Sequence, residues 1–277
     1  MTIATKPQNT TSNRPSATAP QSQDTIVRVE EQLADLERML GCPKAPFLPQ
    51  HTVSVVIPVY NERATILQVV EAVLRQPLNL EVIIVDDGST DGTRDRLAAI
   101  AGLEGVRVIY HEQNQGKGAA LRTGLAAADG DFVVIQDADL EYDPSEIVAL
   151  LLPLANGAAD VVYGSRFVAG RPQGCSRLQY WGNRFLTGLS NQTLGLNLTD
   201  METCHKAFSR WTIDSLKLKE NRFGFEPEVT ARLANLGARI KEMPISYQPR
   251  SWREGKKIGL GDLASAIRCI FRYSRSS

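Results

Sequence analysis

From Thr52 onward, short apolar runs alternate with stretches in which apolar residues recur at helical spacing. The predicted strands are 53–57, 81–85, 106–110, 132–136 and 161–163, and the predicted helices between them are 62–75, 92–101, 118–128 and 144–154. Strands that are apolar throughout are typical of a sheet buried on both faces. The pattern therefore predicts an α/β fold, with a mostly parallel sheet and helices on both faces.

Beyond Arg166 the pattern is looser. It predicts a loop at 169–174, a helix at 178–194, an irregular segment at 199–208, a helix at 226–236 and a strand at 240–247. A last helix, within 259–277, begins at Leu260 and alternates apolar residues with arginines. This basic amphipathic pattern fits a helix lying on a membrane and equally a helix packed on the core, because periodicity alone does not separate the two.

The segment before Thr52 divides into two parts. Residues 1–24 are rich in Ser, Thr, Pro and Gln, lack an apolar signal-peptide core and predict a disordered tail. Residues 25–51 predict an amphipathic helix followed by a proline-containing linker. We therefore expect the main domain to cover residues 52–258.

Composition and charge exclude several classes of function. Lysine plus arginine and aspartate plus glutamate both number 31, so no global positive field attracts nucleic acid. The four cysteines have neither zinc-ligand nor redox spacing, which favours reduced thiols and a cytoplasmic location. No apolar run reaches the roughly 18 residues of a membrane span.

Three acidic residues follow the predicted strand 132–136. In an extended chain alternate side chains share a face, so Asp137, Asp139 and Glu141 would direct three carboxylates toward one point. Magnesium and manganese prefer oxygen ligands and often take one or two carboxylates together with phosphate. The pattern predicts a divalent-metal site, because ligands bind at the carboxyl ends of strands in such sheets.

Two further clusters follow strands. In the sequence 86–92 we assign ligand binding to Asp87 and helix capping to Ser89 or Asp91. The loop 114–118 offers flexible glycines and one cation, Lys117. Leu121 stands where the dinucleotide fingerprint requires its third glycine, and a P-loop is absent, which argues against nicotinamide dehydrogenases and P-loop kinases.

The motifs at 54–62, 85–89, 114–118 and 137–141, in this order and spacing, resemble family 2 glycosyltransferases of the GT-A fold, a Rossmann-like architecture. The resemblance covers residues 52–208. The later motifs at 224–228 and 247–250 are similar to the branch that contains dolichyl-phosphate and polyprenyl-phosphate sugar synthases.

The resemblance implies roles for individual residues. Asp137 and Asp139 would serve ribose, sugar and metal, with Glu141 as a less secure metal ligand because family members often carry glutamine there. Arg166 would face the donor phosphate or sugar. Arg250 with Lys256 would lie near the diphosphate or the acceptor phosphate, and Lys206 is a weaker candidate for that same role. The residues assigned to nucleotide or substrate binding are Pro58, Tyr60, Glu62, Val85, Asp87, Lys117, Ala138, Arg166, Lys206, Arg250 and Lys256.

The expected activity is inverting transfer from a nucleotide sugar, of the GDP-mannose or UDP-glucose type, to a polyprenyl or dolichyl phosphate, with Mg²⁺ or Mn²⁺ as cofactor. An anionic acceptor needs no strong base, whereas a hydroxyl acceptor would need one from among Asp200, Glu202, Glu226 and Glu228. Three alternatives stay open: transfer to a saccharide hydroxyl, a sugar-nucleotide pyrophosphorylase and a non-catalytic nucleotide-sugar-binding protein. The expected location is cytoplasmic, with peripheral contact at the inner membrane face.

Overall fold

The computed structural model describes residues 50–250 and 260–274. Within them the strands are β1 Thr52–Val59, β2 Asn79–Asp86, β3 Val106–Tyr110, β4 Phe132–Ile135, β5 Val161–Ser165, β6 Lys206–Ser209 and β7 Ile240–Pro244. The helices are α1 Ile66–Leu74, α2 Thr93–Ile100, α3 Lys117–Ala127, α4 Ile147–Ala155, α5 Arg177–Leu194, α6 Arg210–Ser215, α7 Phe225–Asn235 and α8 Leu260–Ser274.

The described strands form one seven-stranded sheet in the order β3-β2-β1-β4-β6-β5-β7. β1 pairs in parallel with β2 and β4, β2 with β3, and β5 with β7. β6 is antiparallel to both of its neighbours, β4 and β5. The α/β class and the mostly parallel sheet predicted from the sequence are confirmed.

Apolar side chains pack on both faces of the sheet. Because side chains alternate along a strand, Val55 and Ile57 of β1 face one core, with α1 and α4, while Val56 faces the other, with α3 and α7. Each of these three valine and isoleucine residues is fully buried. A strand that contributes to two cores must be apolar throughout, which explains the continuous runs in the sequence.

Several predicted boundaries differ from the structure. Helix α1 begins at Ile66 rather than at residue 62, and the residues before it form a turn in which the Glu62 carbonyl accepts hydrogen bonds from Thr65 and Ile66. The predicted helix 144–154 is a 3₁₀ turn, Pro144–Glu146, followed by α4. β7 ends at Pro244, which has no backbone N–H to continue a ladder.

Helix α8 packs on the protein core. Its residues Ala266, Cys269, Ile270 and Tyr273 are buried, and the helix contacts α5 and α7. Its arginines Arg268 and Arg272 lie on the exposed side. The buried residues of this helix therefore pack on the core, as in the second of the two interpretations of its sequence pattern.

Some sequence predictions lie outside the described residues. These are the tail 1–24, the helix and most of the linker within 25–51, and the site candidate Lys256. In the part of the chain that the structure describes, no helix combines the length and apolarity needed to cross a bilayer.

Candidate active site

The candidate site lies where β1, β2 and β4 end. β1 lies between β2 and β4, so the strand order reverses direction at β1. In such sheets a crevice opens at this point, outside the carboxyl ends of the strands. A cleft of about 740 Å³ opens there and is lined by Asn61, Glu62, Asp91 and Arg250 among others. Another cleft, of about 650 Å³, lies between α3 and α6. None of the predicted site residues lines it.

Asp87 holds the loop that leads into α3. Its carboxylate lies 2.8 Å from His111 Nδ1 and accepts hydrogen bonds from the backbone N–H groups of Gln115 at 3.0 Å and Gly116 at 2.7 Å. Asp87 is only 2% exposed. The ligand contact predicted for Asp87 stays a prediction; the contacts that the structure shows are internal and position Lys117, the next residue after Gly116.

Gly116 is required by its position. Its φ is +104°, and a Cβ atom there would lie 2.3 Å from the carbonyl oxygen of Asn221. A positive φ strains any residue with a side chain, and the close approach leaves no room for one. The loop can therefore approach the segment before α7 only with glycine at this point.

Asp137 is paired with Lys117. The Lys117 ammonium donates to the Asp137 carboxylate at 2.6 Å and to the Cys204 sulfur at 2.8 Å, and the Cys204 thiol lies 3.3 Å from Glu226 Oε1. Burial alone would lower the pKa of Lys117, but Asp137 and then Cys204 hold that pKa well above its ordinary value. The four side chains form a continuous polar chain from the end of β4 to the start of α7.

Asp139 is paired with Arg250. The Arg250 guanidinium donates to Asp139 at 2.6 Å and, with two nitrogens, to both carboxylate oxygens of Glu62 at 3.0 and 2.9 Å. Burial would lower the pKa of Arg250, but these two carboxylates raise it above its ordinary value. Arg250 thus joins the motif after β1 to the motif after β4, as expected of residues that share one site.

Glu141 occupies a different environment from the two aspartates. It is 2% exposed, accepts a hydrogen bond from the Tyr247 hydroxyl at 3.0 Å and accepts another from the Arg250 backbone N–H at 3.2 Å. The chain is not extended here as the sequence argument assumed, because Ala138 and Asp139 form a turn and Leu140 has φ +60°. The prediction that an extended chain directs Asp137, Asp139 and Glu141 to one face is therefore wrong.

The donor set fits a metal only in part. Among the described residues, no group of three or more His, Cys, Asp or Glu side chains is placed to hold an ion. Asp137 and Asp139, each with a side chain 9% exposed, offer two carboxylates just beyond the end of β4. Two carboxylates suffice for magnesium or manganese when phosphate and water complete the shell, but they do not form a closed protein cage.

Arg166 is committed to Asp200. The two side chains make a bidentate pair, with distances of 2.6 and 2.7 Å, and Asp200 is fully buried. The Arg166 guanidinium also lies against the rings of Phe167 and Tyr247. Arg166 lies one residue beyond the end of β5, but its ion pair fixes the loop between β5 and α5 in this conformation, so the contact with donor phosphate stays a prediction.

Lys206 points into the core. Its ammonium is fully buried, donates to the carbonyls of Met201 and Thr203 and lies 4.4 Å from the centre of the Tyr163 ring. Burial lowers its pKa, and the nearby Glu226 opposes that effect. The phosphate contact predicted for Lys206 is not available in this conformation, because the ammonium is shielded from the cleft.

Two further ionisable residues of the 200–206 segment lie nearby, Glu202, which is partly buried, and His205, which is fully buried. Burial, together with the adjacent Glu226, raises the pKa of Glu202 to about 8. Burial lowers the pKa of His205 to about 4, and neither of its ring nitrogens has a hydrogen-bond partner among the described residues. At neutral pH both side chains are therefore uncharged.

The remaining predicted residues lie near the ends of β1, β2 and β4. Tyr60 is 47% exposed beyond the end of β1, whereas Pro58 and Val85 are paired neighbours within the sheet and are buried. Ala138 is buried between the two aspartates. Asp91 accepts hydrogen bonds from the backbone N–H and the hydroxyl of Thr93, the first residue of α2, but the N-cap position belongs to Gly92, so the predicted side-chain cap is wrong.

Cys204, His111 and Tyr247 contact the predicted site residues but were not predicted as parts of the site. Each contacts a predicted site residue that is distant along the chain: Cys204 is 87 residues from Lys117, and Tyr247 is 106 residues from Glu141. Tyr247 belongs to one of the motifs that carried the resemblance, which was the only signal available for it.

Comparisons with known proteins agree with this geometry. A family model described as glycosyl transferase family 2 matches residues 54–215. Polyprenol monophosphomannose synthase of Mycolicibacterium smegmatis is 30% identical over 236 residues, which are 80% of this chain and 87% of that protein. Glycosyltransferase AglJ of Haloferax volcanii is 32% identical over 199 residues, 72% of this chain but only 63% of AglJ, so the chain spans less than two thirds of that relative.

Solved structures show the same architecture. Glucosyl-3-phosphoglycerate synthase of Mycobacterium tuberculosis, in complex with phosphoglyceric acid, has a TM-score of 0.65 and 26% identity, covering 95% of this chain and 86% of its own. The same synthase has also been solved with Mn²⁺, uridine diphosphate and glucosyl-3-phosphoglycerate, with a TM-score of 0.63, 25% identity and coverage of 97% of this chain and 88% of its own.

Proposed function

The chain belongs to glycosyl transferase family 2, and we propose that it transfers a sugar from a nucleotide sugar to an isoprenyl phosphate, with inversion and with Mg²⁺ or Mn²⁺ as cofactor. One observation carries the proposal: two carboxylates at the end of β4, Asp137 and Asp139, are each matched by a cation, Lys117 and Arg250. Such a site can stabilise the negative charge of a diphosphate, because carboxylates that bind a metal ion lie beside cations that donate hydrogen bonds to phosphate oxygens.

The leaving group sets the first requirement of this reaction. Breaking a nucleotide-sugar bond leaves a nucleoside diphosphate, and charge accumulates on its terminal phosphate oxygens. A bound divalent ion held by Asp137 and Asp139 would supply Lewis-acid stabilisation of that charge. Lys117 and Arg250 add charge-assisted hydrogen bonds, for which they exchange their present carboxylate partners. The bound Mn²⁺ and uridine diphosphate of the structural relative support this assignment.

The acceptor sets the second requirement. Three of the four carboxylates considered as bases for a hydroxyl acceptor, Asp200, Glu202 and Glu228, are already engaged or neutral. Asp200 is paired with Arg166, and Glu228 accepts hydrogen bonds from Lys219, Glu220 and Arg232. Glu202 has a pKa of about 8, and Glu226 lies beside the Cys204 thiol. A phosphate acceptor, which is already ionised, needs none of them.

The relatives support two kinds of acceptor. The name of the polyprenol monophosphomannose synthase points to a lipid phosphate, and its match covers most of both chains. The structural relative makes glucosyl-3-phosphoglycerate, so a small phosphorylated acceptor is the second candidate. For that candidate Glu226 is the base to consider, because its carboxylate joins the chain of polar contacts that leads to Asp137.

The proposed location is cytoplasmic. Among the described residues, Cys175, Cys204 and Cys269 are free thiols, and two of the three are buried. Unpaired cysteines are usual in a reducing compartment.

A transfer assay tests the proposal. The full chain is incubated with Mn²⁺ or Mg²⁺, a panel of labelled nucleotide sugars and, in separate reactions, an isoprenyl phosphate or 3-phosphoglycerate. We expect a labelled isoprenyl phosphate sugar, and no product when the metal is chelated. Product from 3-phosphoglycerate alone would replace the first candidate by the second.

A pair of aspartate variants connects the assay to the site. Asp139→Ala should reduce transfer by about 10²-fold or more, the usual cost of losing an electrostatic group that stabilises a developing charge. Asp129→Ala is the matched control, because that carboxylate is 83% exposed and pairs only loosely with Arg107, at 3.6 Å. Full activity of a folded Asp139→Ala protein would refute the assignment.

A further inference from the structure

Helix α5 carries an exposed apolar stripe. Leu178, Trp181 and Phe185 have 82%, 67% and 57% of their surface exposed, which are three of the four highest values among the large apolar residues of the described chain. At 3.6 residues per turn, positions 178, 181 and 185 fall on one side of the helix. The opposite side, with Leu186, Thr187 and Ser190, is buried against the protein.

The stripe lies beside a local excess of positive charge. The chain as a whole has equal numbers of acidic and basic residues, yet residues 161–199 contain four arginines and no Asp, Glu or Lys. Arg166 is neutralised by Asp200, whereas no ion pair joins Arg171, Arg177 or Arg184 to a carboxylate within the described residues. Arg177 and Arg184 are exposed and flank the stripe on the same helix.

The stripe is also connected to the candidate active site. Gln179, in the first turn of α5, donates to the Tyr247 hydroxyl at 3.3 Å, and that hydroxyl donates to Glu141. Tyr180 packs edge-on against Phe167, the residue after Arg166. The exposed Leu178 is adjacent in sequence to Gln179, so the apolar surface begins next to the residues that position Arg250 and Arg166.

We propose that this α5 stripe docks the protein on an anionic lipid surface, which brings the active site to a membrane-held acceptor. A helix with aromatic residues on one side and arginines at its edge is suited to lie in the interface plane, with its rings among the acyl chains and its charges among the headgroups. The inference rests on the proposed function for its purpose, but vesicle binding is a separate property. It assigns to α5 the surface contact that the sequence suggested for α8, where Ala266, Cys269 and Ile270 are buried and Phe271 is 43% exposed.

A second copy of the chain is a poorer partner for this face. In a two-fold symmetric dimer the same patch meets itself, so Arg177 and Arg184 of both copies would approach one another. Residues 161–199 supply no carboxylate to neutralise them. An anionic bilayer instead supplies the complementary charge, worth about 1 kcal/mol for each arginine near the surface, or roughly fivefold in binding.

Co-sedimentation with vesicles tests the inference, using the full chain without donor or acceptor. The vesicles are phosphatidylcholine alone or an equal mixture of phosphatidylcholine and phosphatidylglycerol. We expect the unmodified protein to bind the mixed vesicles and the double variant Trp181→Glu with Phe185→Glu to bind them at least about tenfold less, because two rings are lost and two charges repel the surface. The double variant Arg177→Gln with Arg184→Gln should lose the preference for the anionic vesicles.

Trp211→Glu is the matched control, since Trp211 is 58% exposed on the separate helix α6. This variant should bind vesicles as the unmodified protein does. Far-UV circular dichroism and melting curves establish that each variant is folded. Equal vesicle binding by the stripe variant, or no binding by the unmodified protein, would overturn the inference. So would a dimer, seen by analytical ultracentrifugation, that only the stripe variant dissociates. Vesicle binding without sugar transfer would instead count against the proposed function and leave the docking surface in place.

Discussion

Replacing Lys117 by methionine removes the ammonium that lies 2.6 Å from Asp137 while keeping most of the side-chain volume. Breaking a buried ion pair by removing one partner costs about 3–5 kcal/mol, because the other charge is left without compensation. The Lys117 side chain keeps 30% of its surface exposed, so solvent screens part of the pair and we expect a loss of about 2–3 kcal/mol. For a domain of this size, that lowers Tm by about 5–10 °C.

The same variant changes the response to metal. In the unmodified protein an ion must compete with Lys117 for the Asp137 carboxylate, whereas in the variant this carboxylate has lost its ammonium partner. Mn²⁺ alone should therefore raise the Tm of the variant more than that of the unmodified protein. An ion present at 100 times its dissociation constant adds about 2.7 kcal/mol, enough to restore most of the lost stability.

The assay is thermal unfolding followed by circular dichroism, with and without Mn²⁺, at constant ionic strength. Lys241→Met is the matched control, because Lys241 is an exposed residue of β7 at the far edge of the sheet. It should leave both Tm and the Mn²⁺ response unchanged. A folded Lys117→Met protein whose Tm rises with Mn²⁺ no more than the control would show that Asp137 is not where the ion binds.

Two further substitutions test the surroundings of the site. Gly116→Ala should destabilise the protein by about 2–3 kcal/mol in urea unfolding, because its Cβ would clash with the Asn221 carbonyl at positive φ, whereas Gly182→Ala, inside α5 with open space around it, should be neutral or slightly stabilising. His205→Phe should remove the part of the acid sensitivity that this histidine causes: its folded-state pKa of about 4 lies below the ordinary 6.5, so its contribution lowers the unfolding free energy of the unmodified protein by up to about 3 kcal/mol as pH falls from about 6.5 to about 4. Unfolding free energies measured across that range would contradict the argument if the two proteins ran in parallel.

The sheet was predictable because burial on two faces leaves a clear mark on the sequence. β3 was predicted with its observed bounds, Val106–Tyr110. β6 was not predicted as a strand, because it has only four residues and includes the buried cation Lys206. A lysine that is satisfied by carbonyls and by an aromatic ring cannot be distinguished in a sequence from one at the surface.

The candidate site was predictable where it depends on strand ends and not where it depends on contacts between distant segments. Asp137 and Asp139 follow β4 directly, so the general geometry of parallel sheets placed them at the crevice. The turn at Leu140, which separates Glu141 from them, has no signal in the alternation of side chains. Whether the last helix packs on the core likewise depends on its contacts with α5 and α7. The periodicity of a helix contains no information about its packing partners.

The bond between Glu62 and Arg250 joins residues 188 positions apart. Closing so long a loop is slow, because the chain loses much conformational entropy before the contact returns any energy. During synthesis Glu62 and Asp139 are made well before Arg250, so the acidic half of the site precedes the cation that joins it. The ion pair therefore cannot form before the segment beyond β7 has been made. It makes the assembly of the crevice a marker that the chain has folded from β1 to the segment beyond β7.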